Sequence, residues 1–319
     1  MKRNYLVCLS LIVSVILTIL FLYCFDKKNR SINCGASVSE ATKELIEGAR
    51  CERWCFGEPN YNKAASCYLK AAELGSTQAQ CNIGRCYLYG IGVSPNDSIA
   101  FVWLIKAAKG GLPKAQYYVG YCYELGLGVA VDYNNAMMWY QKALAHRQYS
   151  RDAITRIGIL YGEGLGVDKD HILALKYFNK AAQLGDKEAM FCLGIAYENG
   201  YGVERNWESA LKWYHMAAIM GHKEAQCSTA VYMYNGMGTI SGERLYDQSF
   251  YWMNRAANAG NPTAQYFLGK YYTDGTGCSI NYTEAVKWFC KAAAQGHKYA
   301  KQELYGLGFT FEDGELWLN

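Results

Sequence analysis

One serine and one lysine in this chain have the spacing of a catalytic pair. Ser209 and Lys212 form a Ser-x-x-Lys sequence, in which the lysine follows one helical turn later and can activate the serine as a nucleophile. Penicillin-recognising enzymes add Ser-Asp-Asn and Lys-Thr-Gly sequences, which are absent here. The pair also repeats the positions of Leu173 and Lys176, 36 residues earlier. The sequence therefore favours chance spacing, with a hydrolase of the penicillin-recognising type as the alternative function.

Paired glycines are the second candidate for chemistry, because a Gly-x-Gly turn can cradle a phosphate. A dinucleotide-binding loop needs a third glycine three residues later, and after Gly164 and Gly166 that position holds Lys169. The sequence also recurs six times, at steps of 36, 38, 36, 36 and 39 residues, which is the period of a helical repeat. We therefore predict that these glycines turn the chain between repeats. They are Gly90/Gly92, Gly126/Gly128, Gly164/Gly166, Gly200/Gly202, Gly236/Gly238 and Gly275/Gly277.

Cysteine and histidine are the remaining candidates for metal or redox chemistry. The 13 cysteines have no even spacing that would indicate a disulfide framework, and the five histidines fall at different repeat positions. We predict no metal site and no cofactor, and interpret the cysteines as buried structural thiols. If the domain is exported to an oxidising compartment, a pair such as Cys67 and Cys81 could cross-link a hairpin. The formal charge of +4 without a long basic run predicts no nucleic-acid partner.

Small and aromatic residues recur around each glycine turn at helical spacing. An alanine anchors each first helix, with a small residue seven positions earlier and, in all but the first repeat, an aromatic residue four positions earlier. These offsets share one helical face, so the small residues allow close helix packing and the rings fill the remaining space. The anchors are Ala71, Ala107, Ala143, Ala181, Ala217, Ala256 and Ala292. A second helix follows each anchor and carries a small residue, mostly glycine, in its middle.

The recurring strings "ALKWYHMAAIMGHKEAQCSTAVYMYNGMG" and "AVKWFCKAAAQGHKYA" resemble the Sel-one-like repeat (SLR), a relative of the tetratricopeptide repeat. The resemblance covers residues 60–308 and implies an all-α fold, a right-handed α/α solenoid of about seven helix-pair repeats with the last pair incomplete. It also implies an interaction scaffold rather than an enzyme. Departures from the pattern are Cys67 at the first aromatic position, an insertion in the third repeat, and "TISGERLYDQ" in the fifth linker.

The first 25 residues differ from the rest of the chain. Residues 5–25 are an uncharged apolar run after a basic start, long enough for a bilayer core and without a small-residue cleavage site. We predict an uncleaved anchor, with a single-pass membrane protein whose solenoid is exported. A protein secreted after signal cleavage, acting as an effector on a host, and a solenoid facing the cytoplasm are the alternatives. The predicted divisions are a tail (1–4), an anchor or uncleaved signal (5–25), a linker (26–36), an N-terminal capping helix (37–59), the solenoid (60–308) and a C-terminal cap or tail (309–319).

Exposed residues of the first helices are the predicted partner-binding site. Two columns should face the concave side of the solenoid, where tetratricopeptide relatives bind peptides or folded proteins. The first column contains Ser66, Val102, Met138, Lys176, Lys212, Tyr251 and Lys287. The second, basic column contains Lys70, Lys106, Lys142, Lys180, Arg255 and Lys291. The basic column has two interpretations: favourable contact with the negative end of each first helix, or a ladder for an acidic partner segment. We predict a scaffold that binds a protein or peptide.

Overall fold

The computed structural model describes residues 39–53, 58–144, 150–312 and 314–318. These residues form 15 α-helices, one short 3₁₀ turn at Ile240–Gly242 and one β-hairpin. The helices are α1 (Glu40–Glu52), α2 (Tyr61–Glu73), α3 (Thr77–Tyr89), α4 (Asp97–Lys109), α5 (Pro113–Leu125), α6 (Tyr133–Ala143), α7 (Ser150–Glu163), α8 (His171–Gln183), α9 (Lys187–Asn199), α10 (Trp207–Ile219), α11 (Lys223–Asn235), α12 (Tyr246–Asn258), α13 (Pro262–Asp274), α14 (Tyr282–Ala294) and α15 (Lys298–Gly306). The even-numbered helices α2 to α14 are the first helices of the repeats, and the odd-numbered helices from α3 are the second helices.

Each second helix from α3 to α13 is followed directly by the first glycine of a Gly-x-Gly sequence. Gly90 has φ +67° and closes α3 in the left-handed conformation that glycine adopts at low cost. The second glycine is required for a different reason: a Cβ on Gly92 would lie 2.0 Å from the carbonyl oxygen of Tyr61, at the start of α2. The glycine pairs therefore turn the chain, as predicted, and also let it pass close to the first helix of the same repeat.

Asparagine or aspartate is the N-cap residue directly before most first helices, where its side chain accepts a hydrogen bond from the backbone N–H of the third helical residue. Asn60, for example, accepts from the backbone N–H of Lys63 at 2.9 Å. The same cap is formed by Asn96, Asp132, Asp170, Asn206 and Asn281. Leu245, within the irregular fifth linker, stands at this position before α12 and provides no side-chain cap. The regular linkers thus encode both the end of one helix and the start of the next.

The core lies where each second helix meets the first helix of the following repeat. All seven anchor alanines are fully buried, at 0% exposure. Four of the glycines within the second helices, Gly120, Gly158, Gly194 and Gly269, pack against an aromatic ring of the next first helix: a Cβ on Gly120 would lie 2.7 Å from the Tyr140 ring. The strongest helix contacts all join elements that are consecutive in the chain. This arrangement confirms the predicted all-α solenoid of about seven helix-pair repeats.

Helix α1 packs like the second helix of a repeat. Gly48 lies 36 residues before Gly84, and a Cβ on Gly48 would be 2.7 Å from the Tyr68 ring of α2. The segment predicted as a capping helix, residues 37–59, therefore contains one more copy of the repeat packing, and residues 54–57 within it lie outside the described part of the chain.

The C-terminal end departs from the helical pattern. Helix α15 has 9 residues, against 13 in α13, and is followed by two antiparallel strands, β1 (Phe309–Glu312) and β2 (Glu315–Leu318). Phe311 of β1 is buried with Leu304 of α15, so the hairpin covers the apolar side of the last helix. The sequence-based expectation of an almost wholly helical domain did not include this hairpin.

The predicted localisation, a single-pass membrane protein with an exported solenoid, is contradicted by the structure. No helix in the described part of the chain is both long enough and apolar enough to cross a membrane. Residues 5–25, on which the prediction rested, lie outside the described residues.

We predict that replacing Thr229 with valine stabilises the solenoid. Thr229 of α11 is fully buried and its Oγ1 has no hydrogen-bond partner among the described residues. The equivalent residues in other repeats are aliphatic: Ile83, Val119, Ile157, Leu193, Leu268 and Leu304. Removing an unsatisfied buried hydroxyl should raise the free energy of unfolding by about 1 kcal/mol in chemical denaturation.

Thr155→Val is the matched control for this substitution. Thr155 is also buried, but its Oγ1 donates a hydrogen bond to the Asp186 carboxylate at 2.9 Å. This variant should lower stability by about 1–2 kcal/mol, since an acceptor loses its donor. Equal effects of the two substitutions would contradict the assignment of Thr229 as unsatisfied.

Candidate protein-interaction face

The two predicted columns lie together on the exposed side of the first helices. In each helix that carries both columns, their residues are four positions apart and share one face. All 13 side chains are exposed, from Ser66 and Lys70 on α2 to Lys287 and Lys291 on α14. We call these 13 residues the first-helix face. Nine of them are lysine or arginine and none is acidic, so the face carries a positive charge.

Tryptophan rings support four cations of the basic column. Lys106 Nζ lies 4.4 Å from the centroid of Trp103, and Lys142 Nζ lies 4.2 Å from that of Trp139. The same contact joins Lys291 to Trp288 at 3.9 Å and the Arg255 guanidinium to Trp252 at 5.6 Å. A cation over an aromatic face gains about 0.5–1 kcal/mol at exposed sites. This contact explains four of the six residues of the basic column in a way that neither sequence interpretation included.

Acidic neighbours are concentrated at the N-terminal end of the solenoid. Glu47 of α1 binds Lys63 at 2.9 Å, and Glu44 lies 4.0 Å from Lys70. Farther along, Lys287 pairs with Glu284 of its own helix at 2.6 Å. Within the first-helix face, acidic neighbours therefore partly neutralise Lys70 and Lys287. The positive charge of the face is greatest on the helices between them, α4 to α12.

A groove of about 640 Å³ opens beside two residues of the first-helix face, Tyr251 and Arg255. One wall is α12 and the other is the turn before α11 together with Gln226. Arg255 donates a hydrogen bond to the Tyr251 hydroxyl at 2.9 Å, which holds the guanidinium at the groove edge. Its lining residues are Gly221, Gln226, Phe250, Tyr251, Asn254, Arg255, Asn258 and Ala259. The sequence columns did not identify this groove, because its polar residues come from two helices.

Buried tyrosines of the first helices donate hydrogen bonds to glutamates 16 residues earlier. Tyr68 binds Glu52 at 2.6 Å, and Tyr214 binds Glu198 at 2.5 Å. Tyr140 binds Glu124, whose carboxylate also accepts from Arg156 at 3.3 Å. Burial is the main reason that the pKa of each of these tyrosines is raised, so they are neutral donors. These polar clusters hold neighbouring repeats together.

The residues considered first for catalysis occupy ordinary repeat positions. Ser209 lies in the first turn of α10, where its backbone N–H donates to the Asn206 side chain at 2.8 Å, and Lys212 is exposed. Among the residues that the structure describes, no group of three or more histidine, cysteine, aspartate or glutamate side chains is arranged to hold a metal ion.

The nine cysteines in the described part of the chain are free thiols, Cys67 and Cys81 among them. Burial raises the pKa of Cys81 to about 11 and that of Cys192 to about 12. These two groups are therefore protonated and weakly nucleophilic at neutral pH.

Comparison with known proteins agrees with the geometry. Seven segments match the Sel1 repeat, at residues 55–76, 77–112, 113–146, 151–186, 187–222, 223–261 and 262–297. Most of these units start at a second helix and finish after the next first helix, which is the pair that packs around the buried glycine.

Two solved structures share the fold. A Sel1 repeat protein from Oxalobacter formigenes is 31% identical with a TM-score of 0.65, over 80% of this chain and 97% of that one. The second is c5321, a protective antigen present in uropathogenic Escherichia coli strains that displays an SLR fold. It is 30% identical with a TM-score of 0.63, over 88% of this chain and 58% of that one.

A curated relative, the chitin synthase regulator SKT5 of Saccharomyces cerevisiae, is 45% identical over 62 residues, which are 19% of this chain and 9% of that protein. The match thus spans a small part of the relative. Repeats of this kind generally serve as protein–protein interaction scaffolds, and homologues built on them are typically not enzymes. With seven matched segments covering most of its length, the chain belongs to the Sel1 repeat family.

Proposed function

We propose that this protein is an interaction scaffold that binds an extended, acidic and partly apolar segment of a protein partner along the first-helix face. The observation that carries the proposal is the exposure of all 13 residues on one side of the first helices. Nine cations among them favour carboxylates, while Val102, Met138 and Tyr251 offer apolar contact. We place this face on the concave side, which a stacked solenoid uses to hold a partner.

The tryptophan contacts support this assignment energetically. A lysine that is already held over a ring loses less side-chain freedom on binding than a lysine that extends freely into solvent. Lys106, Lys142 and Lys291 are therefore partly preorganised to meet a carboxylate, and Arg255 is held in the same way. Such a site recognises charge and shape along the segment, which suits a scaffold.

Photo-crosslinking tests the proposal in the cells that make the protein. A photoreactive phenylalanine analogue is placed singly at Val102 or Met138, which are 49% and 39% exposed, and adducts are identified by mass spectrometry. Each site should give the same protein adduct. Adding Lys212→Glu, Tyr251→Ser and Lys287→Glu to the same chain should reduce the adduct about tenfold or more, because a repelling charge replaces an attracting one.

The control is the same analogue at Thr263, an exposed residue of the second helix α13. It should give no such adduct. The triple substitution should leave helicity and melting temperature nearly unchanged, since exposed side chains contribute little to stability. An equal yield of the adduct from Thr263, or an adduct that survives the triple substitution, would show that the partner binds elsewhere.

A further inference from the structure

Gln226 of α11 has a buried oxygen without a donor. The side chain is 4% exposed, and its Oε1 has no hydrogen-bond partner among the residues that the structure describes. Its Nε2 donates to the carbonyl oxygen of Ala218 at 3.1 Å. Since a carbonyl only accepts, this bond fixes the orientation of the amide and identifies the unpaired atom as oxygen. A buried acceptor that lacks its donor is rare in a native protein and calls for an explanation.

The next repeat shows what such an oxygen binds. Gln265 of α13 is the equivalent of Gln226 and donates in the same way to Ala257 at 3.2 Å. Its Oε1, however, accepts a hydrogen bond at 2.7 Å from the side-chain amide of Gln295, the residue that ends α14. The equivalent of Gln295 beside Gln226 is Ala259, whose methyl group offers no donor. One repeat therefore supplies a donor at this position from within, and the other supplies none.

The unsatisfied amide belongs to a residue that lines the groove beside the first-helix face. Gln226 and Ala259 both line the groove of about 640 Å³, together with Asn254 and Arg255. Ala259 and Arg255 are exposed, so a ligand reaches the groove along the side from which Gln295 reaches Gln265. The guanidinium at the groove edge favours a carboxylate next to the group that enters.

We propose that this groove binds a side-chain carboxamide, from a glutamine or asparagine of the partner segment, with Gln226 Oε1 as the acceptor. The bound amide takes the place that Gln295 occupies in the next repeat. A neighbouring carboxylate of the segment pairs with Arg255. This inference rests on the proposed function and adds a residue type to the segment that the first-helix face recognises.

Peptide binding to the full-length protein tests the inference. The probes are three fluorescein-labelled peptides of sequence Glu-Ala-Asp-Leu-Xaa-Glu-Ala-Asp-Leu, in which Xaa is glutamine, methionine or glutamate. Fluorescence anisotropy should show that the glutamine peptide binds about tenfold more tightly than the methionine peptide, as expected for one hydrogen bond that satisfies a buried acceptor. The glutamate peptide should bind no better than methionine, because a carboxylate offers no donor to Gln226.

Ala259→Gln is the decisive variant. Ala259 has φ −75° and ψ 1°, close to the φ −90° and ψ 9° of Gln295, so the backbone accepts glutamine there. The new side chain should bind Gln226, raise the melting temperature, and abolish the preference for the glutamine peptide while weaker binding of all three peptides persists. Ala259→Met, of similar length but without a donor, should not raise the melting temperature.

The outcomes separate the two proposals. Equal affinity of the wild-type protein for the glutamine and methionine peptides, or a preference that survives Ala259→Gln, overturns the carboxamide site and leaves the acidic-segment scaffold in place. Failure of all three peptides to bind, at low ionic strength as well, overturns both the acidic-segment proposal and the inference that depends on it.

Discussion

Replacing Gly194 with alanine is expected to destabilise the solenoid by about 3 kcal/mol, at the upper end of the cost of overpacking a core. A Cβ at this position would lie 2.4 Å from the Tyr214 ring, whereas real Cβ atoms stay beyond 3.0 Å. The ring cannot move aside easily, because it is fully buried and its hydroxyl is bound to Glu198. Chemical denaturation monitored by circular dichroism measures the change.

Gly162→Ala is the matched control for Gly194→Ala. Gly162 is also a glycine of a second helix, but the nearest atom to its added Cβ would be the Cβ of Ala174, at an ordinary 3.6 Å. Gly162 lines a small apolar cavity of about 100 Å³, so a methyl group finds space there. Alanine at this position should stabilise the protein by up to about 1 kcal/mol through helix propensity alone. Destabilisation of similar size at both positions would contradict the packing explanation.

Arg156→Met should lower the free energy of unfolding by a similar amount, about 3 kcal/mol, because it leaves the buried carboxylate of Glu124 without its cation. Glu124 is 7% exposed, and its two partners are Arg156, with Nη1 at 3.3 Å, and the Tyr140 hydroxyl. Arg156 connects α7 to the end of α5, so its replacement weakens the contact between two repeats. The free energy of unfolding at pH 7 is the quantity to measure.

A compensating substitution distinguishes the lost charge pair from lost packing. The chain places Leu88 and Leu104 at the positions equivalent to Glu124 and Tyr140, and these two leucines pack together without a charge. Glu124→Leu and Tyr140→Phe combined with Arg156→Met should therefore recover most of the stability that Arg156→Met loses, since neither a buried charge nor an unpaired buried hydroxyl remains. If this triple variant were as unstable as the single one, the aliphatic part of Arg156 would be the main contributor.

The repeat and its glycines could be predicted from the sequence because they are local. Gly90 and Gly92 follow a helix end at a fixed distance, and only glycine allows both the positive φ and the close backbone approach. The two exposed columns of the first helices were also predictable from helical periodicity, and the structure places them on one face. Their role in binding stays a prediction.

Other features are visible in the sequence but were not among the predictions. Gly48 lies one repeat period before Gly84, which marks α1 as one more second helix. Before the C-terminal hairpin turn the sequence Phe-Thr-Phe-Glu alternates apolar and polar residues, and it is followed by Asp-Gly, which is a strong signal for a tight hairpin turn. The cations over Trp103 and Trp139 follow the rings by three residues, a spacing that brings side chains together on a helix.

The remaining features needed coordinates, because they depend on contacts between helices. Arg156 reaches Glu124 across 32 residues, and nothing in the local pattern of either residue indicates the pair. The unpaired oxygen of Gln226 becomes visible only when its surroundings are compared with those of Gln265. In both cases the informative positions are those at which one repeat departs from another.

Because the strongest helix contacts join only elements that are consecutive in the chain, the length of this protein can change by whole helix-pair repeats. Inserting a 36-residue copy between two repeats would lengthen the molecule and move the groove at Arg255 away from the cations of α4 and α6, while each local structure stays intact. A partner that spans both regions would then meet them out of register. The number of repeats thus sets the distance between recognition elements that a binding partner must match.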